Sequence, residues 1–154
     1  MKTVKKKHAR TIESHLKNYK AYKVAMKNLQ QSLDEILPNI TTNYTWREGY
    51  SGIFKIVSTT ENAVLDRVAG SKAVYLREQL NIYQTIVKSI DGAMEVLDDD
   101  EVKFVKCRYF EGWSVEKTAQ YLGYSSQNCF KIRNQVMDKL LISLKNLNSL
   151  AVDF

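Results

Sequence analysis

The chain has 154 residues, 44% of them hydrophobic and 26% charged, with a formal net charge of +6, six glycines and one proline. That length suits one medium domain or a small domain with a helical appendage, and the apolar fraction excludes compositional disorder. So little glycine and proline excludes a turn-rich β-protein. No stretch approaches the ~18 apolar residues of a membrane span, and no apolar run follows Lys5-Lys6-Lys7 to make a secretory signal.

The charge is unevenly placed. Residues 1–30 carry nine Lys/Arg against one Glu, residues 31–97 six basic against eight acidic, and residues 98–154 eight of each. A basic segment suits nucleic-acid phosphates, which release counterions when neutralised. A solvated, lysine-rich helix face accounts for the same counts.

The first element runs from Val4 to Leu37 without proline or glycine. Ile12, Leu16, Tyr19, Tyr22, Met26, Leu29, Leu33 and Ile36 follow at spacings of three and four, one stripe on a helix. About 30 residues at ~1.5 Å each would span ~45 Å, longer than a small core requires. Lys17, Lys20, Lys23 and Lys27 fall mainly on the other face. Such a helix forms a homo-oligomer through residues 4–37 or folds back within its own chain, and the pattern leaves both open. Pro38 is expected to end it. Residues 38–60, with Trp46, Gly49, Tyr50 and Gly52, read as a loop, in which "GIFKIV" could be a short extended piece lacking a strand partner.

Ser58-Thr59-Thr60-Glu61 supplies an N-cap and an acidic first turn. The helical pattern that follows uses Leu65, Val68, Leu76, Leu80, Tyr83, Val87, Ile90, Met94 and Leu97, with Gly70 and Gly92 as points of kinking or breakage. Asp98-Asp99-Asp100-Glu101 marks the next helix start, because acids favour the positive end of the dipole. "EVKFVKCRYFEG" then reads as a short helix with Val102, Phe104, Val105 and Tyr109 inward and Gly112 ending it left-handed. Ser114 caps the next helix, "VEKTAQYLG", with Glu116 in its first turn.

The spacing after Ser114 is the most informative in the chain. Ala119 is small enough for two backbones to approach, and Gly123, four residues on, tolerates the positive φ of a tight turn. Leu122, Cys129, Ile132 and Val136 fill the wedge between two crossing helices, and Ser125 or Ser126 caps the second. The pattern is helix-turn-helix; a generic helical hairpin with a glycine turn competes with it.

The stretch "LDDDEVKFVKCRYFEGWSVEKTAQYLGYSSQNCFKIRNQVMDKLLISL" resembles the promoter-reading region four of bacterial sigma factors. "CFKIRNQVMDKL" is similar to the sigma-like domain of phage regulators of the ArpU and RinA type, and "IYQTIVKSIDGAMEVL" matches the opening helix of that domain. The resemblance covers residues 82–147. It implies a helix-turn-helix domain over 82–154, and with the helical patterns read above the chain is expected to be all-α, with long N-terminal helices over 1–81 and a loop at 38–60. It also implies that Cys129, Ile132 and Val136 face inward, leaving Ser126, Gln127, Phe130, Lys131 and Asn134 toward the DNA bases. Gln127 is suited to adenine, Lys131 to guanine or a phosphate, and Phe130 to a thymine methyl; Phe130 packed on Tyr124 or another helix is the competing reading. Here the sequence departs from many sigma-type domains, which favour Arg or Lys on this face. Ser114 and Lys117, at the start of the helix that crosses the DNA backbone in that family, are implied phosphate contacts, with Arg133, Lys139 and Lys145 as weaker ones. For Arg133 a nearby acid is the alternative partner.

Cys107 and Cys129 lack the histidine neighbours of a zinc pattern and read as small core residues. His8 and His15 lack further ligands. With no phosphate-binding glycine loop and no nucleophile–base pair, the sequence predicts no enzyme, cofactor or metal. It predicts a cytoplasmic, nucleoid-associated regulator in a bacterial host, with no membrane contact. The implied function is sequence-specific binding of double-stranded DNA by a phage or prophage late-gene activator that contacts RNA polymerase. A small terminase-type packaging subunit and a helical interaction module without DNA binding are the alternatives. On the first reading, deleting residues 1–30 should weaken binding and flatten its salt dependence while sparing sequence preference.

Overall fold

The computed structural model describes residues 2–41 and 59–149. Over those residues the chain is all-α: α1 (Lys2–Lys17), α2 (Tyr19–Thr41), α3 (Thr59–Met94), α4 (Asp99–Val105), α5 (Val115–Leu122) and α6 (Ser126–Ser143). A π-helical turn, Lys106–Phe110, follows α4, and a 3-10 turn, Lys145–Ser149, follows α6. No helix among the described residues is long and apolar enough to cross a membrane.

The single helix expected over 4–37 is two helices separated only at Asn18. Main-chain bonding continues across that residue: the Asn18 N–H donates to the Ser14 carbonyl at 3.1 Å, and the Tyr22 N–H to the Asn18 carbonyl at 2.9 Å. α2 runs past Pro38 to Thr41; the proline's missing N–H removes one main-chain bond without stopping the last turn. Residues 42–58 of the expected loop, with Trp46, Gly49, Tyr50 and "GIFKIV", and with Ser58 of the expected N-cap, lie outside the described residues. α3 passes through Gly70 and Gly92 unbroken, since a glycine costs a helix only about 1 kcal/mol against alanine. The segment after it tightens into i→i−3 bonds, Glu95 to Gly92, Val96 to Ala93 and Leu97 to Met94, at 3.3–3.4 Å.

The chain divides into two compact units, Met1–Val24 with Gln84–Phe154, and Ala25–Tyr83. In the second, Leu33 and Leu80 are buried, and Ala25 and Leu29 of α2 with Tyr75 and Tyr83 of α3 line a shallow groove of about 340 Å³. In the first, α1 packs against α6, the π-helical turn and the 3-10 turn. The division at 81/82 drawn from the sequence put residues 1–81 together, whereas the first 24 of them join the C-terminal helices. Burial explains why: Ile12, Leu16 and Tyr22 are all but fully covered, alongside Phe104, Val136, Leu140, Leu144 and Leu147. Each such apolar side chain contributes roughly 1.5–3 kcal/mol. Burial of Ile12, Leu16, Tyr22 and Leu33 within the chain accounts for that much of the apolar stripe without a second copy.

Candidate nucleic-acid interface

Each turn leading to α6 is fixed by a local chemical device. At the start of α4 the Asp98 N–H donates to Glu101 Oε2 at 2.9 Å, half of a capping box. The π-helical turn closes with Glu111 N–H on the Lys106 carbonyl (2.9 Å) and Trp113 N–H on the Cys107 carbonyl (3.0 Å), and Gly112 takes φ +70°. Ser114 caps α5, its Oγ accepting from the Lys117 N–H at 3.2 Å. α5 ends at Gly123, φ +72° and ψ 26°, with Tyr124 N–H on the Ala119 carbonyl (2.9 Å) and Gly123 N–H on that of Gln120 (3.3 Å). These two bonds make a Schellman motif, which requires the left-handed residue. Ser125 rather than Ser126 then caps α6, accepting from the Asn128 N–H at 3.3 Å.

α5 and α6 pack with Ala119, Cys129 and Val136 buried and Leu122 and Ile132 half-buried. The opposite side of α6 presents Ser126, Gln127, Phe130, Lys131 and Asn134, all exposed. Phe130 is 52% exposed, and the Tyr124 hydroxyl donates to Asp100 at 2.6 Å.

The expected phosphate contacts fare differently from one another. Ser114, Lys117 and Lys145 are exposed, although the Ser114 hydroxyl already caps α5. The Lys117 ammonium stands 4.1 Å from the centre of the Trp113 ring, which meets Tyr121 edge-on at 5.5 Å. Arg133 turns away to Glu13 of α1, donating through Nε at 3.1 Å and Nη2 at 2.5 Å. The Tyr109 hydroxyl donates to the same carboxylate oxygen at 3.0 Å; burial, then the Glu13 charge, pushes its pKa up. Lys139 clamps the start of α4, reaching Glu101 at 2.6 Å and Asp98 at 3.2 Å, and the Glu101 hydrogen bond heads the causes that raise its pKa. Arg133 and Lys139 therefore spend their charge inside the molecule.

Two clefts border α6. One, about 510 Å³, has Lys5, Lys6 and Ala9 of α1 on one wall and Asn134 and Asp138 of α6 on the other. The second, about 360 Å³, sets Asp98, Asp100 and Glu101 against Tyr124 and Lys131. The nearness of Lys5 and Lys6 to α6 was not legible in the sequence; the one clue was Glu13, the lone acid of the basic segment, on the same helical stripe as Lys6, Arg10 and Lys17.

Cys107 and Cys129 are free thiols, both buried, and burial pushes both up in pKa, away from the reactive thiolate. His15 is buried with Nδ1 2.9 Å from the Tyr22 hydroxyl. Among the described residues no three His, Cys, Asp or Glu side chains gather to hold a metal. No family model, no curated protein and no solved structure matches this chain.

Proposed function

We propose that this protein is a sequence-specific DNA-binding transcription regulator, with α5–turn–α6 as a helix-turn-helix that places the start of α6 in the major groove. The observation that carries the reading is the division of α6 into two faces: Cys129 and Val136 buried, and Ser126, Gln127, Phe130, Lys131 and Asn134 exposed together. An amide, an ammonium and an apolar ring on one helical face match the donors and acceptors of base edges and the thymine methyl. Ser114 and Lys117 at the start of α5 supply backbone contacts. The resemblance to sigma-type phage regulators extends the reading to an activator of phage or prophage late genes that touches RNA polymerase in a bacterial cell.

The test is a pull-down of fragmented bacterial genomic DNA with wild-type protein, followed by sequencing. Recovery of a common motif supports the reading; fragments recovered at random, or none at low salt where phosphate contacts are strongest, would sink it.

A second reading, a DNA-packaging recognition subunit that uses the same helices, is favoured by one observation. Val64, Leu65, Val68 and Tyr75 on α3 are each more than half exposed, apolar surface that a ring of subunits would cover. Light scattering separates the two: a ring-sized particle favours packaging, and a monomer or dimer counts against it.

A further inference from the structure

We infer that the cleft between α1 and α6 is a second DNA-binding site, taking sugar-phosphate backbone beside the groove that α6 enters. The inference rests on the proposed reading of α6 and adds residues that the reading does not use.

On α1, Lys6, Arg10, Glu13 and Lys17 follow at spacings of four, three and four, so they share one flank of the helix. Glu13 shows where that flank points, because its carboxylate holds Arg133 of α6 and Tyr109. Lys6 and Arg10, the next two positions toward the N-terminus, therefore lie on the same side, and both are exposed. Lys6 lines the cleft of about 510 Å³ directly, facing Asn134, which is also on the base-facing side of α6. The acid within the cleft, Asp138, is met by Lys5 at 2.8 Å, so its charge is largely offset where a phosphate would enter. On the other side of α6, Asp98, Asp100 and Glu101 line the cleft with Lys131 and take Lys139 and Lys103 as ion-pair partners, so that side offers no surplus positive charge to a phosphate.

α1 is also held rigidly enough to act as a wall. Ile12 and Leu16 are fully buried, and Glu13 fixes the helix to α6 between the core and the lysines. Cations on a docked helix reach a phosphate at less entropic cost than cations on a loose arm.

The experiment compares wild-type protein, Lys6→Gln/Arg10→Gln, and Gln127→Ala on a mixed-sequence duplex and on a motif-bearing duplex from the pull-down, over a range of salt concentrations. Both changed α1 residues are exposed and lie outside the core, and a thermal melt checks that the fold is kept. The double variant should weaken binding to both duplexes by the same factor. Its plot of log affinity against log salt should be shallower by about 1.8, two phosphates at ~0.9 each. Gln127→Ala should lose preference for the motif duplex and keep its mixed-sequence affinity. Wild-type affinity and slope in the double variant would overturn the cleft as a phosphate site, and if Gln127→Ala still loses preference, the reading of α6 survives that failure. No duplex binding by wild-type protein at low salt would overturn both.

Discussion

Along one side of α6 stand Lys5 and Lys6, carried by a helix from the far end of the sequence; along the other stand Asp98, Asp100 and Glu101 from the helix start just before α5. Both sides are tied to α6 by ion pairs in which α6 gives the cation, and the α1 side adds one of the reverse sense, Lys5 with Asp138. On the α1 side the acid comes from α1 and the cation from α6, Glu13 with Arg133, so α6 gives up an arginine while α1 brings several cations. On the α4 side α6 contributes Lys139 and α4 contributes Asp98 and Glu101, so the added charge is negative. A helix with so little charge of its own thus acquires a basic side and an acidic side from its neighbours. On the proposed reading, that asymmetry would orient an approaching duplex.

The largest expected effect comes from breaking the attachment of the basic side. Glu13→Ala strands Arg133 and the Tyr109 hydroxyl, both of which donate to that carboxylate. Hydrogen bonds to a charged group contribute roughly 1.5–3 kcal/mol, so the variant should lose about 2–3 kcal/mol in chemical denaturation. Next comes the turn from α5 into α6: alanine at Gly123, held at φ +72°, should cost about 1–2 kcal/mol. Ser125→Ala, which removes the α6 cap, should cost about 1 kcal/mol.

A smaller effect is expected from the acidic side. Asp100→Asn removes a charge beside Lys131 and should raise duplex affinity about threefold at low salt, as one exposed charge contributes roughly 0.2–1 kcal/mol. The gain should vanish as salt screens it. Unchanged affinity at low salt would mean that DNA does not approach this side.

The smallest effect concerns pH. Tyr19, stacked on Phe110 at 4.3 Å, is pushed up to about 12 from 10.0 by burial, then by its hydrogen bond to Asp91. The folded state thus keeps a proton that the unfolded chain has lost. This contribution is intact below pH 10 and disappears as pH rises toward 12. Tyr19→Phe should therefore flatten the fall of stability with pH across that interval.

How far the sequence could be read follows the same division. The devices on the α4–α5–α6 side are local, and the residues announce them: Gly123 at a left-handed position, a serine cap at 114 and another at 125 or 126, an acidic start at 98–101, and Cys129 with Val136 turned inward. The docking of α1 is a long-range choice. Glu13 and Arg133 lie 120 positions apart, and periodicity gives α1 an apolar stripe without saying what the stripe meets. That docking also changes an earlier expectation. Deleting residues 1–30 removes Ile12, Leu16 and Tyr22 from the core, so loss of binding in such a deletion would report unfolding rather than lost phosphate contacts. The π-helical turn was also invisible, because "KCRYF" satisfies an α-helical pattern as well as a π-helical one. α2 outlasts the end expected at Pro38 because one missing N–H does not stop a helix in its last turn.

The most direct test of the central claim, that the outer face of α6 reads DNA, is a hydroxyl-radical footprint on a motif-bearing duplex with wild-type, Gln127→Ala and Lys131→Ala proteins. The account predicts a discrete protected site with wild-type protein that either substitution abolishes, while affinity for mixed-sequence DNA remains. A wild-type footprint that survives both substitutions unchanged would contradict it.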